Sequence, residues 1–236
     1  MKPDIEVIRN EVAGLGPVEL VRKLVQRFPG KVAFSTSLGA EDQVLTEMIA
    51  GSGFPVKIFT LDTGRLFQET YDLMDITRKK YGIGLEVYFP DAHQVGEMVS
   101  EKGINLFYES VENRLLCCQY RKVEPLARAL AGMDVWISGL RHEQSRNRAR
   151  LETVEWDESR KILKAYPLLD WTHDQVWEYI RSMKIPYNVL HDKGYASIGC
   201  LPCTRAILPG EEERAGRWWW EDADSRECGL HESKRT

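Results

Sequence analysis

No apolar run in the sequence approaches the length of a membrane span. Excess positive charge is also missing: 32 Lys and Arg stand against 36 Asp and Glu, giving a net charge of −4 at pH 7 and a pI near 5.8. That excludes the global basic field by which proteins hold nucleic acid, though not a local basic cluster. The opening residues, MKPDIEVIRNEV, are charged and lack the apolar stretch of a secretory signal. A cytoplasmic protein with no membrane and no nucleic-acid partner is therefore expected. There is no internal repeat or low-complexity segment, and neither a Walker A loop nor a GxGxxG fingerprint. Cysteine is sparse and odd in number: Cys117, Cys118, Cys200, Cys203 and Cys228. In a reducing compartment these are not expected to pair as structural disulfides. Four ligands and one free thiol is the simplest division.

What is present reads as one good core. The chain has 236 residues, 43% of them hydrophobic, enough for one domain with appended segments. Residues 4–28 show helical spacing at Ile5, Ile8, Val12, Leu20 and Leu24. Apolar runs at 31–35, 56–62, 85–90 and 135–140 read as strands, separated by helical patterns at 40–50, 66–82, 92–102 and 117–132. Such alternation predicts an α/β fold built on a parallel sheet. Ligands of these sheets bind beyond the carboxyl ends of the strands. The loops to watch are then STSLGAED (35–42), LDTGRL (61–66) and SGLRHEQSRNRAR (138–150). After residue 150, ETVEW and KILKAYPL have the pattern of a hairpin, and THDQVWEYIRSMK (172–184) that of a helix opened by a threonine cap. The expected organisation is an α/β domain over 1–190, with its N-terminal helix, and a C-terminal extension over 191–236.

Each motif has a functional and a plain reading. STSLGAED is a strand-to-helix turn whose backbone N–H groups and hydroxyls suit an anion, and equally a capped helix start. Arg141, Arg146, Arg148 and Arg150 could grip phosphate or sulfate in a planar fork; a solvated basic loop is the commoner meaning of such a run. Arg214 and Arg217 carry the same two readings. CC at 117–118 with CLPC at 200–203 is the strongest signal: four thiolates fit zinc and an iron–sulfur cluster equally well on chemistry alone. A redox CxxC would sit in a different, thioredoxin-like context. Trp218, Trp219 and Trp220 point in different directions along the chain, so they read as packing rather than as one site. His231, three residues after Cys228, either lowers that thiol's pKa or is simply exposed.

Together, STSLGAED, LDTGRLFQETYDL, CCQYRKVEPL, SGLRHEQSRNRAR, YPLLDWTHDQVWEYI, HDKGYASIGC, GEEERAGRWWWE and ECGLH resemble the adenylyl-sulfate (APS) branch of the sulfonucleotide reductases. The likeness runs from about residue 30 to the end. It implies an adenine nucleotide α-hydrolase-like (Rossmann-like) nucleotide-binding domain, with an extension carrying the catalytic cysteine. It implies a 4Fe–4S cluster on Cys117, Cys118, Cys200 and Cys203, and Cys228 as nucleophile. APS would be the substrate, thioredoxin the reductant, and sulfite and AMP the products, in assimilatory sulfate reduction. Ser35, Ser37, Gly39, Leu61, Asp62 and Gly139 would line the nucleotide pocket; Lys122, Arg141, Arg214 and Arg217 would hold phosphate and sulfate, with His231 supporting the nucleophile. The SGGxDS loop of the related ATP pyrophosphatases is replaced here by STSLGAED, which argues against ATP cleavage. The alternatives are the 3′-phosphorylated substrate (PAPS), an ATP-using RNA-modifying enzyme of the same scaffold, and a non-catalytic nucleotide-binding regulator. Assembly into a homo-oligomer is compatible with the sequence.

Overall fold

The computed structural model describes residues 3–145 and 148–222. Strands alternate with helices through them, as the apolar spacing predicts. The strands are β1 (Val32–Ser35), β2 (Lys57–Leu61), β3 (Leu85–Tyr88), β4 (Val135–Ile137), β5 (Val154–Asp157) and β6 (Ile162–Ala165). They form one sheet in the order β3-β2-β1-β4-β6-β5. β1 pairs in parallel with β2 and β4, and β4 pairs in parallel with β6. β5 runs antiparallel against β6. The hairpin expected after residue 150 is thus built into the main sheet, with Val135, Trp136 and Ile137 in register with Leu163, Lys164 and Ala165. All of β4 and β6 is buried, the pattern of strands covered on both faces.

The helices are α1 (Ile5–Val12), α2 (Pro17–Arg27), α3 (Ala40–Ser52), α4 (Gln68–Tyr81), α5 (Ala92–Lys102), α6 (Val111–Cys118), α7 (Glu124–Ala129) and α8 (His173–Ser182). Two differ from expectation. The helix expected over 4–28 is broken, because Gly14 takes φ +71° and Pro17 starts a new helix at a position where its missing N–H costs nothing. The helix expected over 117–132 starts earlier and changes pitch. Ser110 caps α6 by accepting from Asn113 N at 3.1 Å. Gln119–Val123 then form a π-helical turn before α7. Pro125 supplies a cause: it has no N–H to give the carbonyl of Arg121, so the regular α ladder cannot pass through it. α8 is opened by Thr172, as the sequence predicts, in a capping box with Gln175.

The chain forms two compact units. One comprises Met1–Thr60, Glu69–Glu86 and Gly132–Asn188, the other Leu61–Gln68, Val87–Ala131 and Val189–Thr236. The first holds the main core, where Phe34, Val44, Ile58, Val135, Ile137, Leu163 and Leu168 pack with Leu20 and Leu24 of α2. The second holds a smaller core of Met98, Leu106, Phe107, Cys117, Cys200, Cys203 and Trp218. In the sheet order the chain leaves β1 for β2 on one side and later returns to β4 on the other. The switch point, where α/β sheets open a crevice for ligand, therefore lies between the ends of β1 and β4.

Candidate functional site

At the switch point, the loops after β1 and β4 are tied together by one carboxylate. Asp42, on the first turn of α3, accepts from Ser37 N at 2.6 Å and Ser37 Oγ at 2.7 Å through Oδ2. Its Oδ1 accepts from Gly139 N at 3.2 Å. Burial pushes the Asp42 carboxyl up to about 6, against the lowering effect of these hydrogen bonds. Gly139 must be glycine here: a Cβ would stand 2.5 Å from Asp42 Oδ1 and 3.0 Å from Glu41 Cβ. Leu38 takes φ +62°, and its N–H donates to Thr36 Oγ1 at 3.0 Å. Gly39 is the N-cap of α3. Ser35 Oγ accepts from Trp136 Nε1 at 2.7 Å. Ser35, Ser37, Gly39 and Gly139 are thus brought to one place in the first unit.

Arg141 also follows β4, but it is fully buried. Its Nε donates to Glu41 Oε1 at 2.7 Å, and its Nη1 to Glu143 Oε2 at 3.2 Å. Two carboxylates match its charge within its own unit. Glu143 Oε2 in turn accepts from His173 N at 2.9 Å, at the start of α8.

The second unit gathers the cysteines. Cys117 and Cys118 end α6; Cys200 caps and Cys203 ends a short 3-10 turn, Leu201–Cys203. All four are buried, and none is in a disulfide. They line one cavity with Arg65, Phe107, Arg114, Arg121, Lys122 and Pro202. Burial raises the Cys117 thiol, with Arg121 opposing and Cys200 adding to the rise. Burial, with Cys200 beside it, pushes the Cys203 thiol up to about 12. Among the described residues, no three His, Cys, Asp or Glu converge closely enough to hold a single metal ion.

The LDTGRL loop is fastened to this cavity. Leu61 ends β2, and Asp62 is buried, its Oδ1 accepting from Gly64 N at 2.7 Å. Thr63 Oγ1 lies 3.2 Å from Cys200 Sγ, and Thr63 O accepts from Arg121 Nη1 at 2.7 Å. Arg65 O accepts from Leu201 N at 2.8 Å. Lys122 sits on the π-helical turn with Nζ 6.0 Å from the centre of the buried Trp218 ring. The Arg217 guanidinium covers the same ring at 4.6 Å and is itself buried. Arg214 is half-buried, three residues before it. Cys228, His231 and Arg146 lie outside the described residues.

Thr63, Asp42, Arg114 and Arg121 carry no signal in the sequence that marks them as functional. All four stand in or beside the motifs quoted above. An acid in an anion loop and an arginine next to a cysteine pair have no distinctive spacing, and only the fold shows what they hold.

Residues 31–206 match the family model described as the phosphoadenosine phosphosulfate reductase domain. The chain is 54% identical, over 85% of its length and 80% of the relative's, to a protein of Burkholderia cepacia named adenosine 5′-phosphosulfate reductase. It is 50% identical to a protein of the same name from Allochromatium vinosum, over 91% of this chain and 83% of that one. Among solved structures, the phosphoadenylyl-sulfate (PAPS) reductase of Candida auris superposes with TM-score 0.74 at 31% identity, covering 86% of this chain and 96% of the other. An FMN adenylyltransferase of Candida glabrata shares the fold alone, with TM-score 0.57 at 14% identity over 96% and 77% of the two chains. With its parallel sheet, its switch-point loops and its four gathered cysteines, the chain belongs to the phosphoadenosine phosphosulfate reductase domain family.

Proposed function

We propose that the chain reduces APS to sulfite and AMP in assimilatory sulfate reduction, with a 4Fe–4S cluster on Cys117, Cys118, Cys200 and Cys203. Identity of 50% across 91% of the chain with a protein named adenosine 5′-phosphosulfate reductase carries the reading. The donor set fits the cluster. In a 4Fe–4S cube each thiolate binds a different iron, so the sulfurs surround a cavity rather than converge on a point. Four buried thiols beside Arg65, Arg114, Arg121 and Lys122 answer that need, and Arg65, Arg121 and Lys122 would offset thiolate charge. Thr63 Oγ1 is in place to hydrogen-bond the Cys200 sulfur. When bound, the cluster supplies a fixed charge distribution beside the anion site and no electrons to the reaction.

The thiolate of Cys228 attacks the sulfate sulfur of APS. An S–S bond forms, the S–O bond to the phosphate breaks, and its electron pair leaves on AMP. A thiolate of reduced thioredoxin then attacks Cys228 Sγ. The S–S bond breaks, its electron pair leaves with sulfite, and the second thioredoxin thiol resolves the mixed disulfide. Two thiols become one disulfide as S(VI) becomes S(IV). Ser37, Gly39 and Gly139 hold the nucleotide at the switch point, and Leu61 and Asp62 contribute from the LDTGRL loop. Lys122, Arg214 and Arg217 hold the sulfate and phosphate oxygens. Arg141, matched by Glu41 and Glu143, acts on the anion by shaping the loop after β4. His231 supports the Cys228 thiolate. The described residues contain no helix long and apolar enough to cross a membrane.

The test is intact-protein mass spectrometry of anaerobic protein mixed with APS and no thioredoxin. A sulfonate on Cys228 with release of AMP is expected. An adduct with PAPS alone keeps the mechanism and changes the substrate; none with either, in protein holding its cluster, refutes the reading.

A further inference from the structure

We infer that the Arg114–Glu221 ion pair is the positioning device that holds the start of the Cys228 segment in register with the four-cysteine site; this rests on the reading of Cys228 as nucleophile. Arg114 Nε donates to Glu221 Oε1 at 3.0 Å, and Nη2 to Oε2 at 2.8 Å. The side chains are 1% and 4% exposed. A guanidinium meeting a carboxylate through two parallel bonds fixes orientation as well as distance.

Arg114 precedes Cys117 and Cys118 by three and four residues in α6, so the three share one helix face. It also lines the cysteine cavity. Its guanidinium stands 4.8 Å from the centre of the Trp218 ring, which is fully buried. Trp218 N donates to Cys203 O at 3.2 Å, and Glu221 N donates to Trp218 O at 2.9 Å. Both cysteine-bearing segments therefore grip the chain over 218–221.

A buried ion pair adds little stability over apolar packing of the same volume, but it specifies geometry. This one ties the turn over Trp218 and Glu221 to α6. Cys228 follows Glu221 by seven residues, which span at most about 25 Å when extended. The pair thus fixes the point of the chain from which the thiol is reached. It takes no part in bond making: sulfonation still forms the S–S bond and breaks the S–O bond to AMP, and the pair enters only by placing the thiol.

The experiment is single-turnover sulfonation of Cys228 by APS, without thioredoxin, in unaltered protein, Glu221→Gln and Glu221→Asp. Glu221→Gln is expected to slow sulfonation about tenfold or more, the scale on which misplacement of a reacting group acts. Cluster absorbance, AMP affinity and the rate at which iodoacetamide alkylates Cys228 should stay near their unaltered values. A merely structural role would move all of these together. Glu221→Asp, which keeps the charge and shortens the arm, should fall between. An unaltered sulfonation rate in Glu221→Gln overturns the inference. Should that variant lose its cluster, an unaltered rate in Glu221→Asp overturns it instead. Absence of sulfonation in the unaltered protein refutes the assignment of Cys228, a result distinct from equal rates across the three proteins.

Discussion

Gly139 N donates to Asp42 Oδ1 across 3.2 Å, joining residues 97 positions apart in sequence. Through this bond the loop after β4 is set against the first turn of α3, with no room for a side chain between them. Gly139→Ala would place a methyl group 2.5 Å from Asp42 Oδ1. Such overpacking is expected to cost about 1–3 kcal/mol and to weaken nucleotide binding. Urea unfolding and AMP titration check it; a variant as stable and as tight as the parent would show that the loops yield freely.

Asp42 gives a pH signature. Its folded pKa, raised by burial to about 6, exceeds the ordinary 3.8. Between about pH 4 and pH 6 the folded state binds the extra proton, so this group's contribution to stability is fully present at the acid end and is lost as pH rises. The loss amounts to about 3 kcal/mol, order of magnitude, for a shift of this size. Asp42→Asn should flatten that part of the stability–pH curve. An unchanged slope across the window would place the titration elsewhere.

Arg141→Ala tests whether this guanidinium is a scaffold. It leaves Glu41 and Glu143 without their shared cation. Removing the buried partner of Glu41 is expected to cost about 3 kcal/mol, the low end for a buried pair, because Glu143 is half exposed and stays solvated. A denaturation midpoint equal to the parent's, with APS affinity alone reduced, would instead make Arg141 a direct anion ligand.

The cysteines should separate into two classes. Cys203→Ser is expected to lower iron and acid-labile sulfide after anaerobic reconstitution, because one of four buried donors is gone. Cys228→Ser should keep iron and sulfide at parental content, keep AMP binding, and make no sulfite. Sulfite from Cys228→Ser, or full cluster in Cys203→Ser, would break the division.

The sheet is legible in the sequence because short apolar runs bounded by turn residues leave few choices, and β1, β2, β3 and β4 fall inside the predicted spans. The gathering of the four cysteines is legible from their number and spacing. The break at Gly14 is not, since the apolar spacing of 4–28 continues across it and only backbone conformation marks it. The surroundings of Arg141 are hidden for a different reason: Glu41, which accepts from its guanidinium, lies 100 residues away in sequence. Asp42 is hidden because its partners, Ser37 and Gly139, meet it only once β1 and β4 lie side by side.

The π-helical turn over Gln119–Val123 acts as a phase shifter. One residue of an α-helix turns the chain by about 100°, so the extra residue in a widened turn sets α7 on a different azimuth from α6. Arg114, Cys117 and Cys118 are buried on the azimuth of α6; Pro125, Leu126 and Ala129 are buried on that of α7. In one straight helix Pro125 and Ala129 would already fall near the face of Arg114 and Cys118, with Leu126 about 120° from Arg114; the widened turn brings Leu126 round toward that face. Deleting a single residue between Cys118 and Pro125 would remove the surplus that the widened turn absorbs, and α7 would keep its azimuth on α6.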